Sequence, residues 1–414
     1  MFRSRLQRAT RASLPTLYFA LAIAWILNIG LHAQEVDEFE QFQQQQQQQF
    51  GQFADQFARD YQSFVEADQA AFQRFKDQVE QQWGQYRGSS RKDWVEYGEN
   101  LDSRSQVDFE AGAATVEVIV EGNAEEARAK LEKAVTKLIG DQGRSADYSV
   151  PLPDGTTHQP QPLAAKPILA GQVAAPDGTP VTPANAADFA QQVVRGTGGG
   201  DSDPGNDKVV VDTVTGKDGQ QRVRARAVFP LIPDHLRQRA QRYLPQVRVQ
   251  AKRFGLEVPL VFAVIHTESF FNPKARSGAP AYGLMQLVPT SGGRDAYRFV
   301  YDKDQVLPTN YFYQPEQNIE LGCAYLNVLR TRYFGKLEDD RKALYCSVAG
   351  YNTGAGNVSK AFTGNTAIRK AIPSIQAMET QQVYDHLRAK LPYEETRSYL
   401  KKVIERMEIY EEWR

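Results

Sequence analysis

The chain has 414 residues, enough for two domains that each bury a core of their own. With 49 Lys and Arg against 50 Asp and Glu the net charge is −1, so bulk electrostatics gives no case for nucleic acid, and no nucleic-acid partner is expected. The 5 His and 2 Cys are too few and too scattered for a zinc site, and no Gly-rich phosphate loop is present; no metal and no cofactor are expected.

Residues 1–33 read as a signal peptide or signal anchor. Arg3, Arg5, Arg8 and Arg11 form a basic start, Leu14 to Leu31 is almost wholly apolar, and Leu31-His32-Ala33 offers a small-residue cleavage position. Export through the inner membrane is the expectation. Residues 35–88 are Gln-rich and carry an 11-residue repeat. Phe39, Phe50, Tyr61, Phe72 and Trp83 form one series, and Phe42, Phe53, Phe64, Phe75 and Tyr86 a second. Eleven residues in three turns is close to a straight helix, so the rings make one stripe. That stripe needs cover from the protein's own body, a second copy or a lipid face. Membrane docking or self-association through 35–88 is therefore weighed against simple packing, and the catalytic motifs, all beyond residue 258, are expected to work without this segment.

From 89 to 229 the pattern is that of an α+β domain on an antiparallel sheet. Val107 to Glu110 and Thr115 to Val120 alternate as strands, Ala124 to Ile139 has helical spacing, and Asp141 to Lys166 reads as a loop. Asp218-Gly219 is a hairpin signal joining Lys208–Val214 to Gln221–Phe229. The acids of this domain sit on alternating strand positions and read as solvent-facing. From His235 the pattern is helical almost to Arg414, so 231–414 reads as an all-helical domain.

Within it, Val258 to Ile265 is apolar apart from Pro259, which a first helical turn tolerates. Glu268 falls in the last turn, where the helix dipole opposes a carboxylate and Phe270 and Phe271 exclude water. Both effects raise a Glu pKa, as a general acid at neutral pH requires. Gly283-Leu284-Met285-Gln286, Asn318-Ile319-Glu320-Leu321-Gly322, Gly350-Tyr351-Asn352-Thr353-Gly354 and Glu395-Thr396-Arg397-Ser398-Tyr399 follow in that order. Cys323 and Cys346 lie on helices beside two of these motifs. They are expected as near neighbours in the core, either bonded in an oxidising compartment or free as small apolar residues.

This set of motifs resembles the lysozyme-like domain of the soluble lytic murein transglycosylase family. Upstream, Trp94-Val95-Glu96-Tyr97, Ser103-Arg104-Ser105 and Gly171-Gln172-Val173 resemble the amino-terminal domain of the membrane-bound lytic murein transglycosylase C family. The resemblance covers about residues 89 to 412, and one departure is Gly350, where the family usually has Ala. It implies an enzyme on peptidoglycan glycan strands, in the periplasm of a Gram-negative bacterium. That enzyme cleaves the β-1,4 bond between N-acetylmuramic acid and N-acetylglucosamine and leaves 1,6-anhydromuramoyl ends. Glu268 is the implied acid and then base; Ser277, Met285, Gln286, Tyr351, Asn352 and Tyr399 are the implied substrate-binding residues. No Cys follows the leader, so lipid anchoring of the family's kind is not expected. Asn318 reads as a helix cap, Glu395 as the ion-pair partner of Arg397, and Asp295 and Asp302 as loop residues. A hydrolase of the goose-lysozyme kind would need a second acid to activate water. A noncatalytic murein-binding module would need neither Glu268 nor Gln286.

Overall fold

The computed structural model describes residues 62–152, 154–196, 209–278 and 281–414. The chain divides into two units, 1–63 and 64–414. Of the first, only 62 and 63 are described, both helical. The leader and the repeat positions Phe39, Phe42, Phe50, Phe53 and Tyr61 lie outside the described residues.

The second unit begins with helix α1 over 64–83, which stops at Gly84 with φ 73°. A Cβ there would lie 2.7 Å from the Thr215 carbonyl oxygen, so the turn needs glycine for both its conformation and its close approach. Tyr86 thus falls past the helix, although its ring still stacks on Tyr97 at 6.0 Å.

The sheet order is β1-β2-β3-β7-β6, antiparallel throughout: β1 (Asp93–Tyr97), β2 (Ser103–Asp108), β3 (Ala113–Val120), β7 (Gln221–Pro230) and β6 (Val209–Thr215). Alternation assigns each strand two faces. Trp94, Val107, Val116 and Val118 point toward α2 (Ala124–Gly140) and α3 (Ala186–Arg195). Val95, Tyr97 and Ile119 point the other way, onto Phe75, Val79 and Trp83 of α1. Of the described part of the aromatic stripe, Phe75 and Trp83 are buried against the body of the protein, while Phe64, Phe72 and Tyr86 are half-buried. Because both faces are covered, β1 is buried at four successive positions. Helix α2 starts where expected, since the Asn123 side chain caps the Glu125 and Glu126 amides.

Two expectations are corrected here. The 141–166 stretch contains a small antiparallel pair, β4 (Val150–Pro151) with β5 (Thr157–His158). The acids are also not all solvent-facing. Glu117 is 1% exposed and accepts two bonds from Arg104, at 2.9 and 2.5 Å, while Glu96 is buried against Arg144 at 2.8 Å. They face α1 and the 141–166 segment, whose covering role no strand pattern reveals.

From His235 the chain is helical: α4 (His235–Phe254), α5 (Val258–Ser269), α6 (Gly292–Tyr301), α7 (Thr309–Tyr313), α8 (Pro315–Val328), α9 (Asp340–Thr353), α10 (Ala355–Thr363), α11 (Ile368–Gln376), α12 (Thr380–Lys390) and α13 (Glu394–Ile409). One core runs through all of them, with α5 packed on α4 and α13 at its centre. Asp295 lies in the first turn of α6 and Asp302 caps its end in the left-handed region, so the segment is helical and not a loop. Cys323 and Cys346 are both free thiols buried in this core. No helix among the described residues is long and apolar enough to cross a membrane.

Candidate active site

Helix α5 is buried on every side; of its twelve residues only Val258 is not fully buried. It ends abruptly because Phe270 (φ 50°) and Phe271 (φ 61°) both turn left-handed. That conformation is strained for bulky residues and persists only where the surroundings enforce it. Three groups do so. Arg239 Nη2 donates to the Phe271 carbonyl at 2.5 Å, and Asn272 Nδ2 donates to the carbonyls of Ser90 and Asp93 at 3.1 and 3.0 Å. Lys274 Nζ donates to Asp147 at 3.0 Å and to the Val95 carbonyl at 3.1 Å. The sheet domain thus grips the loop that follows Glu268.

Glu268 itself is buried, and loss of water pushes its pKa from an ordinary 4.5 up to about 7. The Arg91 guanidinium pulls in the opposite direction without overcoming burial. Arg91 is anchored through Nη2 to the Thr267 carbonyl at 3.0 Å and pairs with Glu395 at 3.2 Å. The hydroxyl of Tyr399 sits beside the Glu268 carboxyl, close enough to interact but without good hydrogen-bond geometry to any protein group. Burial and the Glu268 charge hold the Tyr351 and Tyr399 hydroxyls protonated well above their usual range.

The 283–286 turn faces this helix end. Gly283 (φ 78°) is required because a Cβ would approach the Phe312 carbonyl oxygen to 2.0 Å and the Asn318 amide to 2.4 Å. Asn318 is no cap; Gln314 occupies that position. Its fully buried side chain accepts from the Met285 amide at 2.7 Å and donates to the carbonyls of Tyr282 and Phe312 at 2.9 and 2.7 Å. Gly322, one turn further along α8, leaves room for the Met285 sulfur, which would lie 2.2 Å from a Cβ. The Asn-x-x-x-Gly spacing is therefore a cradle for the turn. Tyr351 donates to the Met285 carbonyl at 2.8 Å, and Ser269 to the Leu284 carbonyl at 2.7 Å, a local structural bond. Gln286 (φ 48°) donates through Nε2 to the carbonyls of Ala275 and Gly283, at 3.0 Å each. Its Oε1 is buried and unpaired.

Glu268, Met285, Gln286, Tyr351 and Tyr399 are thus gathered around one helix end. Ser277 lines a groove of about 590 Å³ whose wall also includes Thr267, Arg91, Glu395 and Lys402. Asn352 accepts from the Thr396 hydroxyl at 2.7 Å, joining the Tyr-Asn motif to α13. The expected Glu395–Arg397 pair does not form. Glu395 is exposed and reaches Arg91, while Arg397 donates to the Leu391 carbonyl at 2.6 Å. A partner some 300 residues upstream carries no local signal, which is why Arg91 was not among the expected site residues. Among the described residues, no three His, Cys, Asp or Glu side chains gather as a metal site would require.

Two family models match. The one described as membrane-bound lytic murein transglycosylase C, N-terminal domain, covers residues 40–197, and the transglycosylase SLT domain covers 246–372. Membrane-bound lytic murein transglycosylase C of Pectobacterium atrosepticum is 34% identical over 75% of this chain and 80% of its own length. The protein of the same name from Serratia proteamaculans is 32% identical over the same shares. The chain belongs to the membrane-bound lytic murein transglycosylase C family. It is a peptidoglycan lytic transglycosylase. Among solved structures, the lytic transglycosylase Slt of Pseudomonas aeruginosa, an inactive mutant, is 28% identical with a TM-score of 0.31, over 41% of this chain and 24% of that one. The 70 kDa soluble lytic transglycosylase of Escherichia coli is 23% identical with a TM-score of 0.32, over the same shares. This transglycosylase therefore spans about a quarter of those solved chains.

Proposed function

We propose that Glu268 is the sole acid and base of the enzyme and that the products carry 1,6-anhydromuramoyl ends. Glu268 first protonates the β-1,4 glycosidic oxygen, releasing the N-acetylglucosamine end. It then takes the proton of the muramoyl C6 hydroxyl as that oxygen closes on C1, so no water is consumed. The observation that carries this reading is the contrast between two carboxyls. Glu268 is buried with its pKa near 7, whereas Glu395, the acid paired with Arg91 at the groove wall, has a side chain 70% exposed. A retaining or inverting glycosidase holds two carboxyls in the site. Here the substrate's own acetamido and C6 hydroxyl groups fill the second role.

Two of the other assignments, those of Gln286 and Tyr399, follow from unused bonding capacity. The unpaired Gln286 Oε1 receives the acetamido N–H of the muramoyl ring, and the Tyr399 hydroxyl, beside the Glu268 carboxyl and itself unpaired, bonds the sugar at the cleavage point. Ser277 and Asn352 bind sugar hydroxyls, while Met285 and Tyr351 form the cleft floor. The leader at 1–33 delivers the enzyme to the periplasm, where murein lies. Mass spectrometry of digested sacculi tests the chemistry, because anhydro and reducing ends differ by one water. Reducing ends as the main primary product, or loss of activity in EDTA, would overturn it.

A further inference from the structure

Arg239, on the second turn of α4, is a buried charge that the chemistry above does not use. It is 2% exposed, and no carboxylate among the described residues pairs with it. Burial pushes its pKa from the ordinary arginine range down to about 9, so the site suits a cation poorly. A methionine would fill a similar volume without that penalty. Three observations show what the guanidinium does there.

The first is where its donors go. Nη2 reaches the Phe271 carbonyl at 2.5 Å, and Nε the Phe270 carbonyl at 3.4 Å. These are the two left-handed residues that end α5, and Phe270 is its C-cap, two residues after Glu268. The end of a helix carries partial negative charge, which a cation offsets. The second is what holds the guanidinium from the other side. Its carbon lies 3.3 Å over the Phe109 ring, and Nη1 reaches Gln172 Oε1 at 3.4 Å. Phe109 and Gln172 both belong to the sheet domain, and both are fully buried. Gln172 is fixed in turn, because its Nε2 donates to the Ile168 carbonyl at 2.7 Å. The third is the shape of the group. A guanidinium is a rigid planar fork, which offers a face to a ring and its edges to separate acceptors.

We infer that Arg239 is a positioning residue, which transmits the packing of the sheet domain, through Phe109 and Gln172, to the helix end that aims Glu268. Without it the strained Phe270–Phe271 turn relaxes and the last residues of α5 fray. The Glu268 carboxyl then gains water and leaves its line to the glycosidic oxygen. This rests on the reading of Glu268 as the acid.

The test uses the full chain with Arg239→Met, Arg239→Lys or Gln172→Leu, each checked for folding by circular dichroism at the assay temperature. The kcat and KM are read across pH on peptide-free murein octasaccharide. Because a misplacement of about 1 Å can cost 10²-fold, Arg239→Met should lose kcat about tenfold to a hundredfold while KM stays within about twofold. The alkaline limb should also move to lower pH, since a hydrated Glu268 falls back toward 4.5. Arg91, Tyr399 and Glu395, the other groups that act on Glu268, are unaltered in these variants. Arg239→Lys keeps the charge and one donor, and should recover part of the loss. Gln172→Leu leaves Arg239 in place and loosens only its hold on the sheet domain, so kcat should fall about threefold in the same pattern. It carries the test if Arg239→Met does not fold. A merely structural role would lower the melting temperature and leave the kcat and pH limb of the folded enzyme unchanged. That result, in Arg239→Met or in Gln172→Leu, overturns the inference. Continued sacculus digestion by Glu268→Gln would instead overturn the acid assignment, whatever the Arg239 variants show.

Discussion

Glu268 shows how one side chain's environment sets two measurable pH dependences. With the folded pKa near 7, the acid is half ionised at neutrality, so turnover should fall as pH rises above about 7. Glu268→Gln keeps the shape and removes the proton, and sacculus digestion should fall by at least about 10²-fold with the circular dichroism unchanged. The same shift acts on stability. The folded state holds this proton more tightly than the unfolded chain, so Glu268's contribution is intact below pH 4.5 and is lost as pH rises through about 7. Burying the ionised form costs on the order of 3 kcal/mol. Glu268→Gln should therefore unfold at higher denaturant than the parent at pH 8 and not at pH 4. Arg91 works in the opposite sense. It lowers the Glu268 pKa, so Arg91→Met should move the alkaline limb of the pH–rate profile upward. An unmoved limb in a folded variant would show that Arg91 is only a tether for Thr267.

At the scale of elements, the 283–286 turn is held by α8 and not by its own sequence. Asn318 alone ties the Met285 amide of the turn, the Tyr282 carbonyl that precedes it and the Phe312 carbonyl of α7 together. Asn318→Ala leaves the Met285 amide without this partner and strips a donor from the carbonyls of Phe312 and Tyr282, the second of which keeps the Leu287 amide at 3.1 Å; a buried group left unpaired costs about 1–3 kcal/mol. The melting temperature should drop sharply and activity with it. Gly322→Ala should be milder in chemistry but overpack Met285, costing about 1–3 kcal/mol. These two residues were legible as a motif, but their purpose was not. The spacing put them on one helix face, and only the approach of a turn from more than 30 residues upstream shows that they cradle it.

Over the whole molecule, a buried charge cluster links the sheet domain to the helices. Lys274 reaches Asp147 at 3.0 Å and Glu96 at 3.9 Å, with Arg144 bonded to Glu96 on its far side. Lys274→Met strips a buried cation from two acids and should destabilise by about 3–5 kcal/mol. Thermal unfolding would read this directly, and activity should suffer as well, since Lys274 lies between Glu268 and Ser277 in the chain. The two thiols are a quieter case. Burial pushes both Cys323 and Cys346 well above the usual thiol range, so neither should react with a thiol probe until the chain unfolds.

The motif around Glu268, the apolar run that buries it and the order of the cleft segments were all readable from residues alone. They depend on local spacing: a helix without a polar face, an acid in its last turn, a glycine where a turn must be left-handed. What the sequence could not display is which distant groups close on that core. Arg91 on Thr267, Asn272 on the 90–93 backbone, Lys274 on Asp147 and Phe72 beside Arg276 all join positions more than 100 residues apart. Neither partner in such a pair alters its own neighbourhood's pattern. The tertiary fold alone decides them, because burial of the helix end depends on the sheet that is packed against it.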